Sequence, residues 1–128
     1  MRKYRIVNKN KRYKEVYGYL IIDENMMSGE LYFAKGLKYA THGGVLLRMM
    51  YNKCKSSKAD DWMFRDWISD RVCPSGRHNI NDILKGYNMK EYNPIELCVK
   101  RKGECVNDDM VFERLPDDYD FSEDLWVG

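Results

Sequence analysis

The chain has 128 residues, 44% hydrophobic and 33% charged, with 22 Lys plus Arg against 20 Asp plus Glu and a net charge of +2. That length suits one domain with a single core and excludes most multi-domain machines. The near balance of charge excludes a bulk polycation, and equally a mimic of nucleic acid that works by net charge.

Residues 3–34 read as a three-stranded antiparallel meander. Residues 3–7 are short and β-rich, Asn8-Lys-Asn-Lys11 is a turn-type cluster, and Val16, Tyr17, Tyr19, Leu20, Ile21 and Ile22 crowd the next segment. A second turn over 23–29 leads into Leu31-Tyr-Phe33, and the aromatic and β-branched density favours strand over helix. Gly36 and Gly43-Gly44 break this pattern; Val45, Leu46, Met49 and Met50 then share one helical face, in a helix ending near Cys54. Asp60 or Asp61 is read as the cap of a second helix carrying Trp62, Met63, Phe64, Trp67 and Ile68, which stops before Pro74. Asn79 with Asp82 caps a short third, stopped by Gly86, and Asn93-Pro94 opens a fourth that carries Val99 and ends at Gly103. The last element is a strand at 110–112. The expected fold is a single small α+β domain over 1–115, an N-terminal antiparallel β-meander followed by three or four short helices and a late strand. An acidic segment, 116–128, follows it.

The longest apolar run, residues 19–22, falls far short of the roughly 20 residues a membrane span needs. The basic N-terminus continues into polar residues, without the apolar stretch of a secretory signal, so the expected location is cytoplasmic. Four cysteines (Cys54, Cys73, Cys98, Cys105) at irregular spacing read as reduced thiols. With His42 and His78 they could supply metal ligands, but no C-x2-C knuckle closes a tight chelate, so no metal and no cofactor is expected. Cys73 with His78 is the most economical nucleophile and base pair, and residue types alone are too low a bar to make it a catalytic site. The chain is read as non-enzymatic.

Charge is unevenly placed. Residues 1–14 hold seven Lys or Arg and no acid; residues 107–128 hold eight Asp or Glu and one Arg. The basic stretch, with Lys9, Lys11 and Arg12 beside Tyr13, has the composition that follows a nucleic-acid backbone, and also that of a strand edge protected by cations. In the acidic stretch Asp117, Asp118 and Asp120 alternate with Tyr119, Phe121, Leu125 and Trp126. Apolar anchors in an acidic run suit docking on a basic partner or phosphate mimicry, and equally a fold back on the basic strands. Arg71 and Arg77 flank Pro74-Ser75-Gly76, where two planar guanidiniums either meet a carboxylate or phosphate or tie down the turn.

Residues Trp67-Ile-Ser-Asp-Arg71-Val-Cys-Pro74-Ser-Gly-Arg77, followed by Ile80, Leu84, Ile95, Gly103 and Asp109-Met-Val-Phe112, form a pattern W-x3-R-x2-P-x2-R, two short helices, then Gly and Asp before a strand. It resembles the front module of HipA-type toxin kinase proteins, over about 15–113. No Gly-rich phosphate loop, no H-R-D-like loop and no D-F-G-like run occurs in these residues, so the resemblance implies an accessory module that holds a partner rather than a kinase.

Three Ala against nine Asn and ten Tyr match an AT-rich coding sequence, as in low-GC Firmicutes, their phages and mobile elements. The leading expectation is therefore an interaction protein that inhibits or regulates a bacterial nucleic-acid-handling (defence) complex through charged surfaces, an anti-CRISPR-type inhibitor being one instance. A direct nucleic-acid binder using the basic segment, and a standalone partner domain of a toxin-antitoxin system, are the alternatives. The contact residues expected are Arg71, Arg77, Asp117, Asp118, Asp120, Lys9, Lys11 and Arg12.

Overall fold

Alternation along the first strand gives the molecule two faces. In the computed structural model, which describes residues 1–10, 12–13, 15–35, 40–54, 62–66, 78–79 and 99–125, β1 (Arg2–Asn8) buries Tyr4, Ile6 and Asn8 and leaves Lys3, Arg5 and Val7 half-buried. β2 (Val16–Asp23) and β3 (Ser28–Phe33) follow as antiparallel neighbours, completing the expected meander. The turns are made by short polar side chains. Asn8 Oδ1 accepts from the Asn10 N–H (2.8 Å), Asn10 Oδ1 from Arg12 N–H (3.0 Å), and Asp23 Oδ1 from the N–H groups of Asn25 and Met26.

The β1–β2 register slips by one residue. Ile6 pairs with Gly18 but Val7 with Val16, so Tyr17 is an extra residue on β2, a bulge that sends its ring into the core. Gly18 beside it is required by close approach: a Cβ there would lie 2.7 Å from the Tyr32 carbonyl oxygen.

Helix α1 (Ala40–Cys54) covers one face of the sheet. Its Leu46, Leu47 and Met50 are fully buried with Ile6, Leu20, Ile22 and Leu31, and each such side chain contributes about 1.5–3 kcal/mol of burial. The helix ends at Cys54 as expected and starts early enough to include Gly43-Gly44. Lys53 in its last turn suits the negative end of the helix dipole, and its ammonium lies 5.0 Å from the centre of the Tyr4 ring.

After the helix comes β4 (Met63–Asp66), parallel to β3, then β5 (His78–Asn79), antiparallel to β4. The second expected helix is thus replaced, over 63–66, by a strand. Trp62 is 2% exposed, Met63 36% and Phe64 0%, a period of two rather than 3.6. Asn79, read as a helix cap, pairs with Met63. β6 (Lys100–Arg101) and β7 (Glu104–Cys105) form a separate hairpin, in which Lys102 (φ 51°) and Gly103 (φ 81°) occupy a two-residue turn. Gly103 therefore turns a hairpin instead of ending a helix, because both central positions of such a turn need positive φ. The remainder of the predicted helices, at 67–77 and 80–98, lies outside the described residues. Among those described α1 is the one α-helix.

A 3-10 turn over Asn107–Asp109 leads into β8 (Met110–Leu115), the expected late strand, which pairs antiparallel with β1. The resulting sheet is mixed and six-stranded, in the order β5-β4-β3-β2-β1-β8. The fold is α+β. No helix among the described residues is long and apolar enough to cross a membrane.

Candidate functional site

The face of the sheet opposite α1 carries Lys3, Arg5 and Val7 of β1 and, on β2, Tyr19 and Ile21, with Val16 beyond the bulge. Arg5 on β1 pairs directly with Tyr19 on β2, which pairs with Tyr32 on β3. The next row runs from Leu115 through Lys3 and Ile21 to Glu30, with Arg65 of β4 registered opposite Glu30. Two cations and two tyrosines thus lie side by side across three strands.

Residues 116–125 cross this face as a strap. Pro116 cannot continue the ladder as a donor, and the Tyr119 N–H returns to the Pro116 carbonyl, turning the chain over the sheet. Tyr119 then lies over the Arg5 guanidinium (5.3 Å), and its carbonyl accepts from Lys3 Nζ (2.9 Å). Phe121 stacks on Tyr19 with centroids 4.6 Å apart and planes 10° from parallel, and also meets Tyr32 at 5.4 Å. Leu125 forms a β-bridge with Ala34, and Lys35 N–H donates to the Asp124 carbonyl. Tyr19, Ala34, Leu115 and Phe121 form a second, smaller core under the strap.

The electrostatics follow from this covering. The Tyr19 hydroxyl donates to Asp124 (3.0 Å), and burial first, then that bond and the Asp124 charge, push its pKa up to about 12. Arg5 Nε is buried with no hydrogen-bond partner; Glu113 Oε1 lies 3.3 Å away as an ion pair without hydrogen-bond alignment. The Ser122 N–H and hydroxyl hold the Asp120 carboxyl below its ordinary range, with Lys3 adding to the effect.

The expected contact residues are sorted to opposite ends of the β1–β8 ladder. Lys9 and Arg12 are exposed at the end where Asn8 pairs with Met110, and the Lys9 N–H is tied to the Asp109 carbonyl (2.7 Å). Asp117, Asp118 and Asp120 lie beyond Leu115 at the other end, about 17 Å away along the strand. Asp117 pairs with Arg114 (2.9 Å), Asp118 is exposed, and Asp120 accepts from Ser122. Lys11, Arg71 and Arg77 lie outside the described residues. The acidic segment's anchors Tyr119, Phe121 and Leu125 engage the protein's own sheet, the fold-back alternative.

Sequence reasoning passed over Lys3, Arg5, Tyr19 and Tyr32 as a group. Their signal was present as alternation: Lys3 and Arg5 share one parity on β1, and Tyr19 shares that face on the paired strand. Of the cysteines, Cys54 is free and buried, and burial pushes its thiol up to about 11. Cys105 corrects the expectation of reduced thiols. It is disulfide-bonded to a partner outside the described residues, and its exposed position on β7 gives it no core to pack in. Among the described residues no group of three or more His, Cys, Asp and Glu side chains converges as a metal site would require. No protein-family model, no curated protein and no solved structure matches the chain, and the functional reading rests on the geometry of this strapped face.

Proposed function

We propose that the protein is a non-enzymatic interaction protein of phage or mobile-element origin that inhibits or regulates a bacterial nucleic-acid-handling (defence) complex, as an anti-CRISPR-type inhibitor does, and that it works in the cytoplasm through its charged surfaces. The observation that supports this reading is the sorting of the strap. Tyr119, Phe121 and Leu125 face the sheet while Asp117, Asp118, Asp120 and Glu123 remain exposed. A free acidic tail would lose conformational entropy on docking, whereas carboxylates on a backbone already anchored lose less. Such an array suits a basic surface that normally takes phosphates. The HipA-type resemblance adds a toxin kinase as a partner of the same kind. Arg71 and Arg77 belong to this proposal as contacts, with Lys9, Lys11 and Arg12 as a second charged end.

The test is capture of partners by the tagged chain from a low-GC Firmicute lysate with and without nuclease, in parallel with a variant carrying Asp117→Lys, Asp118→Lys and Asp120→Lys. The expected result is a nucleic-acid-handling complex held by the parent and lost by the variant, which stays folded with a thermal midpoint only slightly lowered by loss of the Arg114–Asp117 and Ser122–Asp120 contacts. Equal capture by both would refute the acidic contact, and retention that vanishes with nuclease would transfer the reading to direct nucleic-acid binding.

A further inference from the structure

We infer that the outer face of β1–β2–β3 is a binding face for single-stranded nucleic acid, which the strap occupies in the ligand's place. The inference is independent of the partner proposed above, since it concerns the surface beneath the strap and not the carboxylates on top of it.

Proteins that hold single strands without sequence preference combine aromatic rings on which bases stack with cations that follow the backbone. The row Arg5–Tyr19–Tyr32, with Lys3 on the adjacent row, supplies both on a flat sheet surface. What lies on it has the chemistry of a short oligonucleotide. Phe121 is a planar ring stacked on Tyr19 at 4.6 Å and 10°, where a base would lie. The Asp124 carboxylate accepts from the Tyr19 hydroxyl at 3.0 Å, as a phosphate oxygen would. Lys3 Nζ holds the Tyr119 carbonyl and lies 5.8 Å from the Phe121 ring.

Arg5 is the residue the strap serves least well. Its Nε is buried without a hydrogen bond, and the strap offers it the face of the Tyr119 ring rather than an acceptor. Glu113 balances its charge from 3.3 Å, and a phosphate oxygen would add the aligned acceptor that Nε lacks. Two acids share this face: the exposed Glu113 is the ion-pair partner of Arg5, for which a phosphate would have to compete, and Glu30 accepts from the Tyr32 hydroxyl (2.7 Å). Tyr19 and Tyr32 are direct partners on neighbouring strands, about 5 Å apart, so one base stacked on Tyr19 would meet Tyr32 at its edge, as Phe121 does. Charge complementarity selects the occupant: the strap is an acidic, aromatic segment on a cationic, aromatic row, and a single strand has the same two features.

The test uses the full-length chain with Phe121→Ala and Asp124→Asn, which removes the stacked ring and the carboxylate but leaves every residue of the face in place. Binding of fluorescein-labelled ten-nucleotide DNA and RNA is read by anisotropy over a salt series, with circular dichroism reporting the fold. The expected result is at least tenfold tighter binding than by the parent, weakening as salt rises, and lost on adding Arg5→Glu or Tyr19→Leu. A folded double variant that binds the oligonucleotide no more tightly than the parent overturns the inference, as does binding that survives Arg5→Glu. Should the double variant not fold, hydrogen exchange on the parent decides. A large excess of oligonucleotide should speed exchange in residues 119–125, and unchanged exchange overturns the inference.

Discussion

Phe121→Ala is the most informative single perturbation of the strap. The ring is 8% exposed, so nearly its whole apolar surface leaves water on docking, a contribution of about 2–3 kcal/mol. Stacking on Tyr19 adds about 1 kcal/mol beyond the area term. The small core beneath the strap lies at the surface and can partly collapse around the deletion, so the cavity term is modest and the expected loss is about 3 kcal/mol. Phe121→Leu separates the parts: it keeps most of the burial, gives up the stacking, and should cost about 1 kcal/mol. The strap can also release without unfolding of the sheet, which caps the global loss at the free energy of strap docking. Urea unfolding followed by circular dichroism measures the global effect, and hydrogen exchange at residues 119–125 measures release. If Phe121→Ala costs under about 0.5 kcal/mol and strap exchange is unchanged, the strap is not held by this ring and the reasoning fails.

Alkaline pH should act through Tyr19. The folded protein keeps the Tyr19 proton up to about 12, while the unfolded chain releases it near 10. Stability from this group is therefore whole below pH 10 and lost as pH rises from 10 to 12, by about 2–3 kcal/mol. Urea midpoints across that range check this, and Asp124→Asn should shrink the loss by removing the Asp124 charge while its amide oxygen can still accept from the Tyr19 hydroxyl. Gly29→Ala would set a Cβ 2.7 and 2.8 Å from two Phe64 ring carbons and 3.2 Å from Met50 Sδ, so the ring must move, at about 2 kcal/mol; a thermal midpoint equal to the parent's would count against the packing described. Cys54 should resist alkylation at pH 8 until denaturant is added, and Cys105 should be labelled only after reduction, both read by peptide mass spectrometry. Asp118→Lys should leave stability within about 0.5 kcal/mol; Asp117→Lys, which also breaks the exposed Arg114 pair, should cost under about 1 kcal/mol.

The meander and late strand were legible because short-range chemistry specifies them. Asn8, Asn10 and Asp23 make their turns with their own side chains, and the β-rich segments lie between those turns. Residues 62–66 misled because an apolar run with Trp62, Phe64 and Trp67 satisfies a helical and an extended reading at once. Only pairing with β3, a long-range event, decides between them. The destination of the strap was open for the same reason: its composition marks Phe121 as an anchor, and nothing local says whether Tyr19 or another protein receives it. Arg5 was counted in the sequence as one of seven cations, and only its burial under Tyr119 distinguishes it from Lys9, which stays in solvent.

The position of β1 between β2 and β8 has a kinetic consequence. Its pairing with β2 closes a short loop, whereas its pairing with β8 joins the two ends of the described chain. During synthesis the meander can form as soon as it leaves the ribosome, but one side of β1 remains an open edge until β8 has emerged. Closing so distant a contact is slow, and an open edge is a template for pairing with another chain. The cations of β1 then guard the nascent chain before they serve the finished one. Truncation within residues 110–115 would accordingly strip the edge strand and leave β1 as an open edge rather than shorten a tail.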